Sequence, residues 1–385
     1  MEWMVARSFA VEDVSPARKG KAAYLISIAE HNWGVIVVKG LILCAGRGTR
    51  LHPFSYSQPK TLLPVANHPV LHYCILKLRE VGVRDIGIVI QPSQKEIPQY
   101  VGDGSQFGAT ITFLEQQKPL GIAHAVQLAQ PFLRDEPFIL LLGDNLLMDS
   151  LHELTKTFTR TGADGVVMLS KVDRPQDYGI AEIQDERLVS VEEKPQRPKS
   201  NLAVIGAYLF TRPIFAAIAT LRPSKRGEYE ITDAIQSMID SGYHIAHTVT
   251  HRQYTDVGTI ERWLEANRWM LTQELGVRHE IGSDSIVENC TIIGPVLIGK
   301  RCRIENCRLG PYVAIQDGVQ LKNCKHIENS ILLENSSLND VEWPVTNSVF
   351  GRSSHLAGSG ADSSGVFILS DKSSIRMPRA KGSPP

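Results

Sequence analysis

The residues best suited to chemistry lie in Leu43-Cys44-Ala45-Gly46-Arg47-Gly48-Thr49-Arg50-Leu51 and the following Gln58-Pro59-Lys60-Thr61-Leu62-Leu63-Pro64-Val65. Gly46 and Gly48 lack a Cβ, so the backbone amides from Ala45 to Thr49 can come close to a polyanion, while Arg50 and Lys60 add fixed positive charge. This is the makeup of a cradle for nucleotide phosphates. It is neither of two common phosphate motifs. Leu51 stands where G-x-G-x-x-G needs its third glycine, and the Lys-Ser/Thr ending of a P-loop is missing. A glycine turn with two cations is, by itself, more often an ordinary surface loop; the full string carries the specificity.

Two carboxylates could complete such a site. Asp144 follows the apolar run Phe138-Ile139-Leu140-Leu141-Leu142, and Asp256 lies within Tyr254-Thr255-Asp256-Val257-Gly258-Thr259. An aspartate after a strand is often only a cap or turn former. The second one shifts the balance, because two hard oxygen donors suffice for Mg²⁺, which keeps waters and binds substrate phosphates as well. His and Cys show no comparable metal spacing. Glu192-Glu193-Lys194 and Tyr178-Gly179, taken alone, read as a solvated hairpin charge pair and a packed strand edge. The Gln116 amide offers a donor and an acceptor together, which suits the imide of thymine or uracil better than a purine.

The elements needed to position these groups follow from the apolar pattern. A strand signal runs from 35 to 43 into the glycine turn. A helix is expected over 69–81 with Leu71, Cys74, Ile75 and Leu78 on one face, then strands at 86–90 and 111–114, a helix over 121–133 and the buried strand 138–142. This alternation is the α/β rhythm, in which ligands gather beyond the carboxyl ends of parallel strands. Both the glycine turn and Asp144 would then border one cleft.

After about residue 275 the pattern changes. Ile286, Ile292, Ile298, Ile304, Leu309, Ile315, Leu321, Ile327, Leu332 and Leu338 recur in steps of six with occasional steps of five, and Asn-Cys recurs at 289, 306 and 323. Short strands on the three sides of a triangular coil give this arithmetic. A left-handed parallel β-helix of about three coils is expected over 280–350, followed by a flexible tail at 351–385 rich in Ser, Gly and Ala. Residues 1–37 precede any recognisable unit and read as an N-terminal extension, disordered or arising from a misassigned start.

Lys plus Arg and Asp plus Glu both number 41, so no net field draws the whole chain to nucleic acid or to a membrane. Six cysteines without a C-x-x-C pair, and no export segment, point to free thiols in the cytoplasm.

The signature string resembles that of sugar nucleotidylyltransferases, in particular the long glucose-1-phosphate thymidylyltransferases with a β-helix tail, and the resemblance runs from 39 to about 270. It implies a Rossmann-like mixed sheet with helices on both faces. It also implies roles: Ala45, Gly46, Gly48, Thr49, Arg50 and Lys60 around the nucleotide phosphates, with Arg50, Lys60 and Lys194 catalytic. Gln116 and Gly121 would recognise the base, Tyr178, Gly179, Glu193, Lys194 and Arg226 the sugar phosphate, and Asp144 and Asp256 would hold Mg²⁺. The implied reaction is in-line attack of a hexose 1-phosphate on the α-phosphorus of dTTP, releasing pyrophosphate, in a homo-oligomer. The chain departs from the short thymidylyltransferases at Thr61 (their Gln) and at Tyr254-Thr255 (their Trp-Leu), which leaves UTP open. An acyl-transferring β-helix is a poor fit, with only His326 and His355 as bases, and a catalytically silent scaffold is disfavoured by the retained charged residues.

Overall fold

The computed structural model describes residues 38–358 and 365–377. The expected N-terminal extension, 1–37, and the beginning of the first strand signal lie outside the described residues.

The first sheet is built around β1 (Lys39–Leu43), which pairs in parallel with both β4 (Asp85–Ile90) and β6 (Phe138–Leu142); β5 (Thr110–Glu115) extends the parallel side. The two short strands β2 (Pro64–Val65) and β3 (His68–Pro69) form a separate antiparallel pair. Successive residues of a strand point to opposite faces, and each face here has its own core. Ile42, Ile139 and Leu141 enter one buried cluster, while Leu41, Phe138 and Leu140 enter the other. Such double burial explains why β6 is a continuous apolar run with no polar alternation. The mixed half follows with β7 (Asn145–Leu147), β8 (Gly165–Lys171), β9 (Gly179–Gln184), β10 (Arg187–Glu193), β11 (Leu202–Phe210), β12 (Ile245–Val249) and β13 (Tyr254–Asp256). β11 is antiparallel to β6, so the sheet runs β10-β9-β11-β6-β1-β4-β5, with β8 branching from β11 and β12 pairing with β8. β7 and β13 make a two-stranded ribbon of their own.

Helix Val70–Glu80 buries Leu71, Cys74, Ile75 and Leu78, the face expected from its spacing. The expected helix over 121–133 is two: Ile122–Leu128 and Gln130–Leu133. Pro131 explains the break, since it donates no backbone hydrogen bond and its ring crowds the preceding turn.

Helix Ile260–Leu275, capped by the Thr259 hydroxyl accepting from the amide of Arg262, leads into the coil. Three parallel sheets of six, six and four strands wind from His279–Ile281 to Ser374–Arg376, as expected of a left-handed parallel β-helix. All ten aliphatic positions of the six-residue pattern fall on strands, and from Ile298 onward each is at most 1% exposed. The Asn-Cys recurrence has a cause: Asn289, Asn306 and Asn323 turn the corner at φ between 52° and 54°, a region asparagine tolerates better than most residues. Their side chains form a ladder, Asn306 Nδ2 to Asn323 Oδ1 at 2.9 Å and Asn323 Nδ2 to Asp340 Oδ1 at 2.7 Å.

The coil is longer than the three turns expected, and a flexible tail from 351 does not describe it. His355–Ala357, Ile368–Leu369 and Ser374–Arg376 stack in register on earlier strands. Their inward residues Leu356 and Leu369 join the coil's apolar core but stand among polar residues in the sequence, too few to sustain a visible period. Ala314, Ile331, Leu333 and Val349 of the coil join the same buried cluster as Trp263, Leu264 and Leu271, so the β-helix and the α/β unit share a core along helix Ile260–Leu275.

Candidate active site

The glycine turn leaves β1 where the parallel strands end together, since Leu43 faces Val89 on one side and Leu142 on the other. Its carbonyls are tied from the loop after β4: Gln91 Nε2 donates to Ala45 and Gln94 Nε2 to Cys44. Ser55 Oγ donates to the Gly48 carbonyl at 2.7 Å. Gly48 has φ 65°, and a Cβ there would stand 3.1 Å from Lys60 Cβ; one on Gly46 would stand 3.1 Å from Lys60 Cε. The two glycines therefore also make room for the stem of Lys60 to lie along the turn.

Lys60 Nζ is ion-paired with Asp144 Oδ2, both side chains being mostly buried. Asp256 joins them through the ribbon. It sits opposite Asn145 in the β7–β13 register, and the amide of Val257 donates to the carbonyl of Asp144 at 2.8 Å. Arg50 Nη2 lies 3.5 Å from Asp256 Oδ2, with its own side chain 65% exposed and so reachable from solution. Burial pushes the Asp256 carboxyl up from its ordinary range; Arg262 opposes this, Asp144 adds to it, and Arg50 and Lys60 pull it back down. Two carboxylates, Asp144 near enough to raise Asp256, ringed by three cations, form a charge cluster suited to a polyanion and a cation together.

The donor set fits a hard divalent ion. Among the described residues no group of three or more His, Cys, Asp or Glu could hold a metal, so an ion here would rest on Asp144 and Asp256 and complete its shell with water and substrate oxygens.

On the side away from the glycine turn, Glu193 ends β10 opposite Gly179 of β9. Its carboxylate accepts from Arg226 Nη2 at 3.1 Å and from the Thr232 hydroxyl at 3.2 Å. Burial and the nearby Glu230 push it above the usual carboxylate range, against the pull of Arg226 and Lys194. Arg226 also bonds Glu230 at 2.8 Å, so two carboxylates already share its charge. Lys194 is exposed, and its amide donates to the Tyr178 carbonyl at 3.0 Å. Tyr178 Oη accepts from Arg262 Nη2 at 2.8 Å.

At the third corner Gln116 is buried, its Nε2 2.8 Å from His124 Nδ1 and 3.4 Å from the Gly121 carbonyl. An amide nitrogen only donates, so Nδ1 must be the unprotonated ring nitrogen. Burial lowers the His124 pKa, which favours that neutral form. Gly121 has φ 104°, and a Cβ there would come within 2.6 Å of the Tyr229 carbonyl oxygen.

Fold and geometry thus gather the glycine turn, three cations and two carboxylates where β1 and β6 end, with Asp256 brought in by the β7–β13 ribbon. A sequence model described as "nucleotidyl transferase" matches residues 39–273. The chain belongs to the nucleotidyl transferase family. As a nucleotidyl transferase it is 36% identical over 358 residues to a glucose-1-phosphate thymidylyltransferase of Streptomyces antibioticus, covering 88% of this chain and 99% of that one. It is also 36% identical, over 342 residues, to a low-salt glycan biosynthesis nucleotidyltransferase of Haloferax volcanii, covering 84% of this chain and 95% of the relative. A solved Bacillus anthracis chain in complex with a sucrose has a TM-score of 0.58 and 33% identity, covering 63% of this chain and 98% of its own.

Within this nucleotidyl transferase, two partners escaped sequence reasoning. Arg262 is ion-paired with Asp256, and His124 contacts Gln116. Arg262 carried a local signal, because it stands six residues after Asp256 at the start of a capped helix. His124 had none beyond its polarity.

Proposed function

We propose that this nucleotidyl transferase joins dTTP to α-D-glucose 1-phosphate, giving dTDP-glucose and pyrophosphate. The observation that carries the reading is the match to the Streptomyces antibioticus thymidylyltransferase over 99% of its length, which includes the β-helix as well as the transferase unit. The geometry supports it. The obstacle to the reaction is the approach of two polyanions, since two unit charges 4 Å apart repel by about 4 kcal/mol at an effective dielectric of 20. Arg50 and Lys60, with the turn amides of Ala45, Gly46, Gly48 and Thr49, would take up charge on the triphosphate and on departing pyrophosphate. Lys194 would hold the sugar phosphate, Glu193 would accept from sugar hydroxyls, and Tyr178, Gly179 and Arg226 would shape that subsite. Gln116 and Gly121 would read the imide edge of the base. Positioning and fixed charge are then the source of acceleration, without a covalent intermediate.

Members of this family generally use a divalent metal. Mg²⁺ held by Asp144 and Asp256 would supply further neutralisation of phosphate charge.

A pyrophosphate-release panel tests the reading: dTTP, UTP, ATP, GTP and CTP against glucose, galactose, mannose and N-acetylglucosamine 1-phosphates. The dTTP and glucose pair should turn over fastest. Preference for UTP would reassign the base, and silence with every pair would leave a scaffold. Asp144→Asn and Asp256→Asn should each abolish turnover and weaken Mg²⁺ binding while leaving the circular dichroism spectrum unchanged. Near-native activity in either would remove the metal assignment. Assembly as a homo-oligomer belongs to the same reading and is checked by light scattering. Among the described residues no helix is long and apolar enough to cross a membrane.

A further inference from the structure

The segment 58–67, which carries Lys60, is held at both ends by the β-helix. At its start Gln58, 5% exposed, accepts through Oε1 a hydrogen bond from Nη2 of Arg352. At its end Asn67 Nδ2 donates to the carbonyl of Ile315 at 2.7 Å. Between these points helix Ile260–Leu275 adds two contacts, Trp263 Nε1 to the Pro64 carbonyl at 2.6 Å and the Ala66 amide to Asn267 Oδ1 at 2.9 Å. Arg352 is itself oriented. Its Nε lies 3.7 Å from Glu334 Oε2, and its amide donates to Asp371 Oδ1 at 2.7 Å.

We propose that the β-helix is a positioning element for nucleotidyl transfer, in which Arg352, acting through Gln58, holds the turn that presents Lys60 to Asp144 and to the nucleotide phosphates. The turn is short and stiff: the amides of Leu62 and Leu63 bond back to the carbonyls of Pro59 and Lys60 at 2.9 and 3.1 Å. A displacement of Gln58 is therefore passed along the backbone to Lys60. Without Arg352 the buried amide oxygen of Gln58 would be left unpaired or would have to rotate toward water. Charge stabilisation depends on groups fixed in place before the reaction, so a looser turn costs rate more than binding. The family match ends at 273, and a residue well beyond it would set the position of a cation inside it. This role rests on Lys60 acting on the nucleotide phosphates.

The test uses the full chain with Arg352→Ala, Gln58→Ala and both together, read by steady-state pyrophosphate release and by amide hydrogen exchange. In each variant exchange over 58–67 should rise about tenfold while the coil strands from Arg303–Glu305 to Ser337–Asn339 keep their protection. The kcat should fall roughly ten- to a hundredfold with the KM for hexose phosphate little changed. The double variant should be no worse than the singles, because both act on one contact. Unchanged exchange over 58–67 in Arg352→Ala would overturn the role, as would a native kcat or losses that simply add. An unsubstituted chain that releases no pyrophosphate would overturn the functional reading and this role with it; normal turnover that is indifferent to Arg352→Ala would overturn the role alone.

Discussion

If Glu193 accepts from sugar hydroxyls as proposed, this one side chain carries opposite demands from folding and from binding. Its carboxyl is pushed above its ordinary 4.5, first by burial and then by Glu230. The folded protein thus holds this proton more tightly than the unfolded chain does. The group favours the fold at acid pH, and that contribution declines as pH rises through the window above 4.5. In the proposed sugar-binding role the ionised carboxylate is the stronger acceptor for the hydroxyls. Acidification into that window should therefore raise the KM for hexose 1-phosphate without any loss of stability from this residue. A KM profile between about pH 5 and 8 checks this, and Glu193→Gln should raise the KM and flatten the profile. An acid limb that survives in Glu193→Gln would assign the effect elsewhere. His124 makes a separate residue-scale prediction. Its Nδ1 holds the Nε2 end of the Gln116 amide, so in the proposed base-reading role His124→Ala should free the amide to turn and offer its NH₂ to cytosine. The preference for dTTP over dCTP should fall about five- to tenfold, the equivalent of one neutral hydrogen bond of roughly 1–1.5 kcal/mol. An unaltered ratio would mean that His124 does not orient Gln116.

Among the elements, the loop and helix start at Gly121 depend on a single position. Its φ of 104° and the 2.6 Å approach to the Tyr229 carbonyl leave no room for a side chain. Gly121→Ala should cost more than about 1 kcal/mol of stability and raise the KM for the nucleotide, measured by urea unfolding and by initial rates. A variant as stable as the parent would show that the segment yields easily. Gly121 also marks where legibility in the sequence stops. Strands β1, β4 and β6, the helix Val70–Glu80 and the ten aliphatic positions of the coil were readable because each follows a regular apolar period. The glycine turn and both aspartates were readable because they lie in contiguous strings beside strand ends. His124 was not, and neither was the contact of Arg226 and Thr232 with Glu193, which joins segments brought close only by folding. The three late strands were missed for another reason. Each contributes one inward apolar residue or fewer, and the sequence between them breaks the six-residue step.

At the scale of the whole molecule, the decisive feature is the core shared across helix Ile260–Leu275. Ile331 and Leu333 of the coil pack in the same cluster as Trp263 and Leu271, so neither unit can lose structure without exposing apolar surface of the other. Calorimetry should record one cooperative transition over the described residues rather than separate melting of sheet and coil. Ile331→Ala should lower stability by about 2–5 kcal/mol and shift that transition as a whole. Two resolved transitions, or a shift of only one part, would contradict the shared core. The register of the coil carries a constraint of another kind. Ile286 faces Arg303, seventeen positions on, whereas His326 faces Pro344 at eighteen and Val349 faces Ile368 at nineteen, with the stacking intact. The residue added at the step of eighteen lies between Asn339 and Pro344, at a corner between strands. One inserted within a strand would instead invert inside and outside for the rest of that strand. The domain's length is thus quantised: it can gain or lose whole windings or lengthen a corner, and intermediate insertions have no place to go.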